Sequence, residues 1–573
     1  MDHANSRCRR SFFILGVSIF LGVLVSSSES KSVLTKGDYG IIHNKDENGI
    51  VLKIPQGLLK WNVSESREGR TYYSFYKIPY ASPPLARLRF ESPQPPAGWD
   101  GVRFETDVAP ECIQKSKYSP IDESKGEEDC LYVNIYTPKL PGLNVAPDAP
   151  LLPTLFYIHG GGFADGNGSR YGAKYFMDED AVMVTFQYRL GALGFLSSET
   201  DEIKGNLGLK DQVQGLKWVR DNIEFFGGDP SRVMIYGNSA GGSSVNLLLA
   251  SPMASGLFHR ALTQSGPPFG PLVQTGEAQL KSFAAIVQAA GCNGTSEWLD
   301  CLRSKSASDL QIIRGTDVIF AATVETGHND TENNFLPDTM TNLFKAGRVN
   351  KVPWMIGVTN SEWIGATAMY LKDLALIENL NNNFHPVLQQ LLMNPYATSP
   401  IATNISDAAR SFYFGQSLVG NETLLEFTNM VSDRDIVHPC VSMARWMAAM
   451  DEKVFLYYMS KKPQKSYADG ALIGYPPGDY GASHADELQY LFNYYGYPEY
   501  PVESEYFSVS RSMTKFWVEF AATGSNPAPG WEPISREGSL FWYELNDVPA
   551  PTMAVMERMQ FWSQFSDEDL CYN

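Results

Sequence analysis

With 573 residues, 43% of them hydrophobic and only 19% charged, the chain can bury a large core, which excludes an intrinsically disordered protein. Its formal net charge of −18 would repel nucleic acid and anionic membrane surfaces, so neither is expected as a partner. Length alone allows several domains, yet no low-complexity run, charge block or repeat marks a linker, and residues 31–573 read as one domain.

The chain begins with Arg7, Arg9 and Arg10, an apolar run from Phe12 to Val25 and then a serine-rich patch. That order predicts a cleaved secretory signal peptide over residues 1–30, and hence a secreted, extracellular protein. The run is short for a bilayer span, and no later stretch is long and apolar enough to be one. Six cysteines follow the signal: Cys112, Cys130, Cys292, Cys301, Cys440 and Cys571. In an oxidising compartment the close pairs Cys112 with Cys130 and Cys292 with Cys301 rank first as disulfides, out of the roughly fifteen pairings six cysteines allow. Cys440 and Cys571 are left either to pair with each other or to let Cys571 bridge to a second chain, which leaves a homodimer open. Sequons at Asn62, Asn167, Asn293, Asn329, Asn404 and Asn421 fit a glycosylated secreted protein.

The middle of the chain alternates strand and helix signals. Residues 151–159 (LLPTLFYIH) and 181–189 (AVMVTFQYR) are near-continuous apolar runs, as central strands covered on both faces require. Val213, Leu216, Val219, Ile223 and Phe226 recur at helical spacing and predict a crossover helix over 211–226. Further buried strands are expected at 352–358 (VPWMIGV) and 453–459 (KVFLYYM). Repeated strand-helix-strand units imply an α/β fold with one large, mostly parallel sheet and helices on both faces. Working residues in such sheets gather just past the carboxyl ends of the strands.

Two strand ends carry chemistry. After 151–159 comes His159-Gly160-Gly161-Gly162-Phe163, where three glycines let the backbone approach a substrate and present N–H groups to a developing oxyanion. A phosphate loop is disfavoured, because no Gly-Lys-Ser/Thr follows. The stretch 232–250 (RVMIYGNSAGGSSVNLLLA) reads as strand, sharp turn and helix, with Ser239 between Gly237 and Gly241. Such a turn forces the serine into strained angles and exposes its hydroxyl as a nucleophile. The Ala240 amide then lies at a helix N-terminus, aimed where an oxyanion would form.

Taken together, IPYASPP (78–84), EDCLYVNIYTP (128–138), HGGGF (159–163), YRLGALGF (188–195), GNLGLKDQ (205–212), FGGDP (226–230), GNSAG (237–241) and HADELQYLF (484–492) carry a resemblance over nearly all the mature chain. It resembles the type-B carboxylesterases of the cholinesterase-like α/β-hydrolase family, most of all arthropod secreted carboxylesterases, juvenile hormone esterase-like enzymes included.

A serine nucleophile needs a base, and the base needs an acid to orient it. In this fold both follow the serine in the chain, which leaves His259, His328, His385, His438 and His484 open on the residues alone. The resemblance selects His484. Among 64 carboxylates it selects Glu362, past the strand VPWMIGV, although Trp363 stands where the family usually has glycine. Asp486 and Glu487 lie too close to His484 in sequence to come first. The implied mechanism is acyl transfer through Ser239, His484 and Glu362, with an oxyanion hole from Gly161, Gly162 and Ala240, and it calls for no metal and no cofactor. The partner is a small-molecule ester.

Two departures from cholinesterases bear on the ester. Asn238 replaces a glutamate before the serine, and the segment between Cys112 and Cys130 holds no tryptophan to receive a choline cation. Uncharged, lipophilic esters are therefore expected. Juvenile hormone esterases, which cleave a terpenoid methyl ester, carry glutamine in place of Asn238, so that activity is an alternative. A non-catalytic binding or adhesion protein on the same scaffold is the alternative from another class.

Overall fold

The computed structural model describes residues 39–44, 49–115, 123–267, 269, 272–274, 276–294, 296–312, 318–325, 334–391, 400–494, 496–535, 537, 539–566 and 570. The expected signal peptide, His328, Asn329 and Cys571 lie outside them. The expected apolar runs become the middle of an eleven-stranded sheet. Its strands are β1 (Asn62–Glu65), β2 (Thr71–Pro79), β3 (Tyr132–Thr137), β4 (Leu152–Ile158), β5 (Val182–Phe186), β6 (Gly228–Asn238), β7 (Arg260–Gln264), β8 (Trp354–Thr359), β9 (Val454–Met459), β10 (Trp542–Leu545) and β11 (Ala550–Thr552).

Their spatial order is β11-β10-β9-β8-β7-β6-β4-β5-β3-β2-β1. From β10 to β5 every neighbouring pair is parallel, and the pairs toward both edges are antiparallel. Every residue of β4, β5, β8 and β9 is buried, which is why these strands read as unbroken apolar runs rather than as an alternation. The alternation reappears in which core each side chain enters. Phe156, Ile158, Ile235, Ile356 and Leu456 pack in one cluster, while Leu155, Tyr157, Tyr236, Met355 and Phe455 pack in the other, across the sheet.

Helices seal both faces. Between β5 and β6 runs α1 (Leu207–Asn222), continued by a 3-10 turn from Ile223 to Phe226. All five apolar residues that predicted it are buried in the first cluster. The helix α2 (Ala240–Ala250) joins them on that side. On the other side α5 (Phe507–Thr523) covers the sheet with Val509, Met513, Trp517 and Phe520. Two further helices border the strand ends: α3 (Ile364–Tyr370) after β8, and α4 (Leu424–Ser432) against it. Among the described residues no helix is long and apolar enough to cross a membrane.

Both expected local disulfides form, Cys112 with Cys130 and Cys292 with Cys301. Cys440 is a buried free thiol, which corrects the alternative that it pairs with Cys571. Burial first, and then the nearby Glu362 charge, push its thiol well up.

Candidate active site

The strand β6 ends at Asn238, and α2 begins at Ala240, so Ser239 alone makes the turn. Its backbone stands at φ 60°, ψ −127°, which a non-glycine residue adopts only under strain. The flanking glycines have no alternative. A Cβ on Gly241 would lie 2.1 Å from the Ile158 carbonyl oxygen, and one on Gly237 would lie 2.5 Å from the same atom. The elbow is therefore pressed against the end of β4, and Ser239 N–H is tied to the Gln264 carbonyl at 2.9 Å. As the first residue of α2, Ala240 has an N–H with no intrahelical acceptor.

The glycine loop after β4 lies on this elbow. A Cβ at Gly160 would sit 2.6 Å from Asn238 O and 3.0 Å from Ser239 Cβ, so only glycine lets the loop come this close. Gly161 has φ 120° and no room for a side chain beside Asp165 O. Gly162, at φ 62°, faces open space. His159 anchors the loop from below. It is buried, stacks on Tyr188 with ring centroids 4.3 Å apart, and its Nδ1 lies 2.9 Å from Gly160 O. Burial depresses its pKa to about 4, so it is neutral at pH 7.

Glu362 follows β8 by three residues and is buried, not a solvated loop carboxylate. Its Oε1 accepts from Thr359 N–H at 2.7 Å and from Ser265 Oγ–H at 2.6 Å. Its Oε2 lies 2.7 Å from His484 Nδ1. The backbones close the same contact, since His484 N–H donates to Glu362 O at 3.0 Å and Ser361 N–H donates to Ala482 O at 3.0 Å. The imidazole remains 19% exposed while the carboxylate is fully enclosed.

The other histidines go elsewhere. His438 is buried with its pKa lowered to about 3, by burial and then by Arg445 and Arg434. His259 Nδ1 accepts from Val233 N–H, partway back along β6 from the elbow. His385 faces Asp407 at 3.4 Å. Asp486 caps its own loop, accepting from Ser466, Tyr467 and Ser483.

Three residues have roles that the sequence did not reveal. Glu487 is buried, and its Oε1 accepts from Asn238 Nδ2 at 2.9 Å and Gln264 Nε2 at 3.3 Å. The residue before Ser239 is thereby tied to the loop that carries His484. Burial, and then the Glu362 charge, raise the Glu487 carboxyl to about 8, so near pH 7 it is mostly neutral. Ser265 holds Glu362, and Trp363 stacks on the His484 ring. No local pattern marks any of them, because each acts across a large separation in the chain.

Compared with known proteins, residues 48–568 match the model of the carboxylesterase family. Over 507 residues the chain is 35% identical to the juvenile hormone esterase of Tribolium castaneum, covering 85% of this chain and 84% of that one. It is 34% identical to esterase FE4 of Myzus persicae over 504 residues, 85% of this chain and 87% of the relative. It is 30% identical to the pyrethroid hydrolase Ces2e of Rattus norvegicus over 522 residues, 88% and 87% of the two chains. Its fold is similar to the crystal structure of juvenile hormone esterase from Manduca sexta with OTFP covalently attached. The TM-score is 0.75 at 26% identity, over 90% of this chain and 99% of that one.

Proposed function

The chain belongs to the carboxylesterase family and is a carboxylic-ester hydrolase; from that premise we propose that it cleaves uncharged, lipophilic esters by acyl transfer to Ser239. The observation that carries the reading is the 2.7 Å contact between Glu362 Oε2 and His484 Nδ1. A carboxylate there accepts a hydrogen bond from Nδ1–H and leaves Nε2 free as a base. Ser239 Oγ attacks the ester carbonyl while its proton passes to His484 Nε2. The N–H groups of Gly161, Gly162 and Ala240 receive the oxyanion. The C–O bond to the alcohol breaks, the alcohol leaves with the proton from His484, and water then releases the acid by the same steps in reverse order.

The preference for uncharged esters rests on the ground behind the serine. Asn238 is neutral, and its partner Glu487 is largely protonated near pH 7, so little negative charge is left there to favour a cationic substrate. Turnover of a terpenoid methyl ester is a second reading, favoured by the likeness to two juvenile hormone esterases. Secretion as one catalytic domain over 31–573 is supported by two disulfides, which persist in oxidising compartments.

The test is hydrolysis of p-nitrophenyl esters from acetate to caprylate, and of a terpenoid methyl ester, by the full chain and by Ser239→Ala. Turnover of the p-nitrophenyl series that disappears in the variant is expected. Turnover that survives in Ser239→Ala refutes the nucleophile, and preference for the methyl ester selects the second reading.

A further inference from the structure

We propose that Trp363 is a positioning residue for the base, its indole face holding the His484 ring in the plane that Glu362 sets and stabilising the imidazolium formed during attack. The proposal rests on the reading of His484 as the base.

Trp363 follows Glu362 and ends the turn from β8 into α3. Its N–H donates to Ser432 Oγ at 3.2 Å, at the end of α4. The side chain lies over the imidazole with ring centroids 5.4 Å apart and planes 17° from parallel. No hydrogen bond holds it there, since the buried indole Nε1 has no acceptor among the described residues. Packing and the stack itself are what place it.

The geometry complements that of Glu362. The edge contact at Nδ1 fixes the ring's direction but restrains the tilt of its plane less. A flat partner against the ring face restrains that tilt. Glycine, the usual residue here in the family the chain resembles, would leave that face without the indole. When the imidazole becomes a cation, it lies inside the roughly 6 Å range over which an indole attracts one. The titratable groups that act on the ring include Glu362, at 2.7 Å, and Glu487, whose carboxyl is itself sensitive to the His484 charge. These two act through charge, whereas Trp363 supplies the flat surface.

The experiment compares pH profiles of kcat/KM for the full chain with Trp363→Phe, Trp363→Leu and Trp363→Met, with Ser239→Ala as control. Without the aromatic face the imidazolium loses stabilisation, so the base stays neutral to lower pH. Leu and Met are expected to lower the plateau roughly tenfold and to move the acid limb toward lower pH by roughly half a unit or more. Phe, which keeps a flat face, retains most of the plateau and of the limb position. A plateau that drops while the limb stays fixed in both Leu and Met variants indicates packing alone and overturns the proposal. A Phe variant indistinguishable from Leu overturns it too. Should Trp363→Leu fail to fold, Trp363→Met carries the same comparison. Residual turnover in Ser239→Ala would instead sink the acyl-transfer reading on which the proposal stands.

Discussion

Replacing Glu487 by glutamine separates its hydrogen bonds from its titration. The carbonyl of the new amide could still accept from Asn238 Nδ2 and Gln264 Nε2, which now meet Glu487 Oε1 at 2.9 and 3.3 Å, but the amide has no proton to lose. In the wild type, burial and then the Glu362 charge lift this carboxyl from an ordinary 4.5 to about 8. Below about pH 4.5 the folded and unfolded chains both hold the proton, and the contribution of the group is fully present. Between about 4.5 and 8 the unfolded chain releases it first, so stability falls as pH rises, by up to ~1.4 kcal/mol per pH unit. Above about 8 both states are ionised and the slope ends. Over the whole window the loss is on the order of 5 kcal/mol, a large share of a typical domain's stability. Equilibrium urea unfolding of the wild type and Glu487→Gln at acid, neutral and mildly alkaline pH measures it. The variant is expected to gain several kcal/mol on the wild type from the acid to the alkaline end. Parallel pH dependences for the two proteins would refute a protonated carboxyl at this position.

Three further outcomes follow from the same geometry. Glu362→Gln cannot hold the Nδ1–H tautomer as a carboxylate does, so kcat should fall roughly 10³- to 10⁴-fold. Ser265→Ala leaves Glu362 Oε1 with only the Thr359 N–H, and should lower kcat by roughly two- to tenfold in steady-state assays. Gly160→Ala drives a methyl group against Asn238 O and Ser239 Cβ, so the loop must move off the elbow. A shift of that size should lower kcat roughly 100-fold, while far-UV circular dichroism stays that of the wild type. Among the sequons, Asn293, Asn404 and Asn421 are exposed, whereas Asn167 Oδ1 accepts from Ser169 N–H and Gln187 Nε2, and Asn62 Nδ2 donates to Glu105 O. Peptide mapping after deglycosylation should find sugar at the exposed three and none at Asn167.

What the sequence disclosed was whatever a short window can encode. The central strands announced themselves because both faces are buried, and α1 because its inward residues recur each turn. The elbow and the glycine loop were legible through glycines whose need is local. Edge strands such as β1 and β11 were not, since half-exposed segments of three or four residues carry no distinctive pattern. The carboxylate was out of reach of pattern alone. Glu362 and His484 are 122 residues apart and meet only because the loop after residue 480 is hydrogen-bonded to the turn after β8. Glu487, Ser265 and Trp363 were hidden for the same reason. Trp363 did register as a departure from the family's glycine, but nothing local said that it would lie on the histidine.

The zipped contact between the turn after β8 and the loop at 481–484 also ties the proposed triad to the order in which the chain is made. Ser239 and the proposed oxyanion donors Gly161, Gly162 and Ala240 lie in the first half of the chain and Glu362 in the second, but His484 comes only in its last sixth. The elbow is therefore synthesised long before the histidine proposed as its base. Until residue 484 arrives, the buried Glu362 oxygen that faces His484 lacks that partner, a penalty that biases the incomplete chain against closing around it. A chain truncated before that loop lacks the proposed base, and no hydrolysis is expected of it.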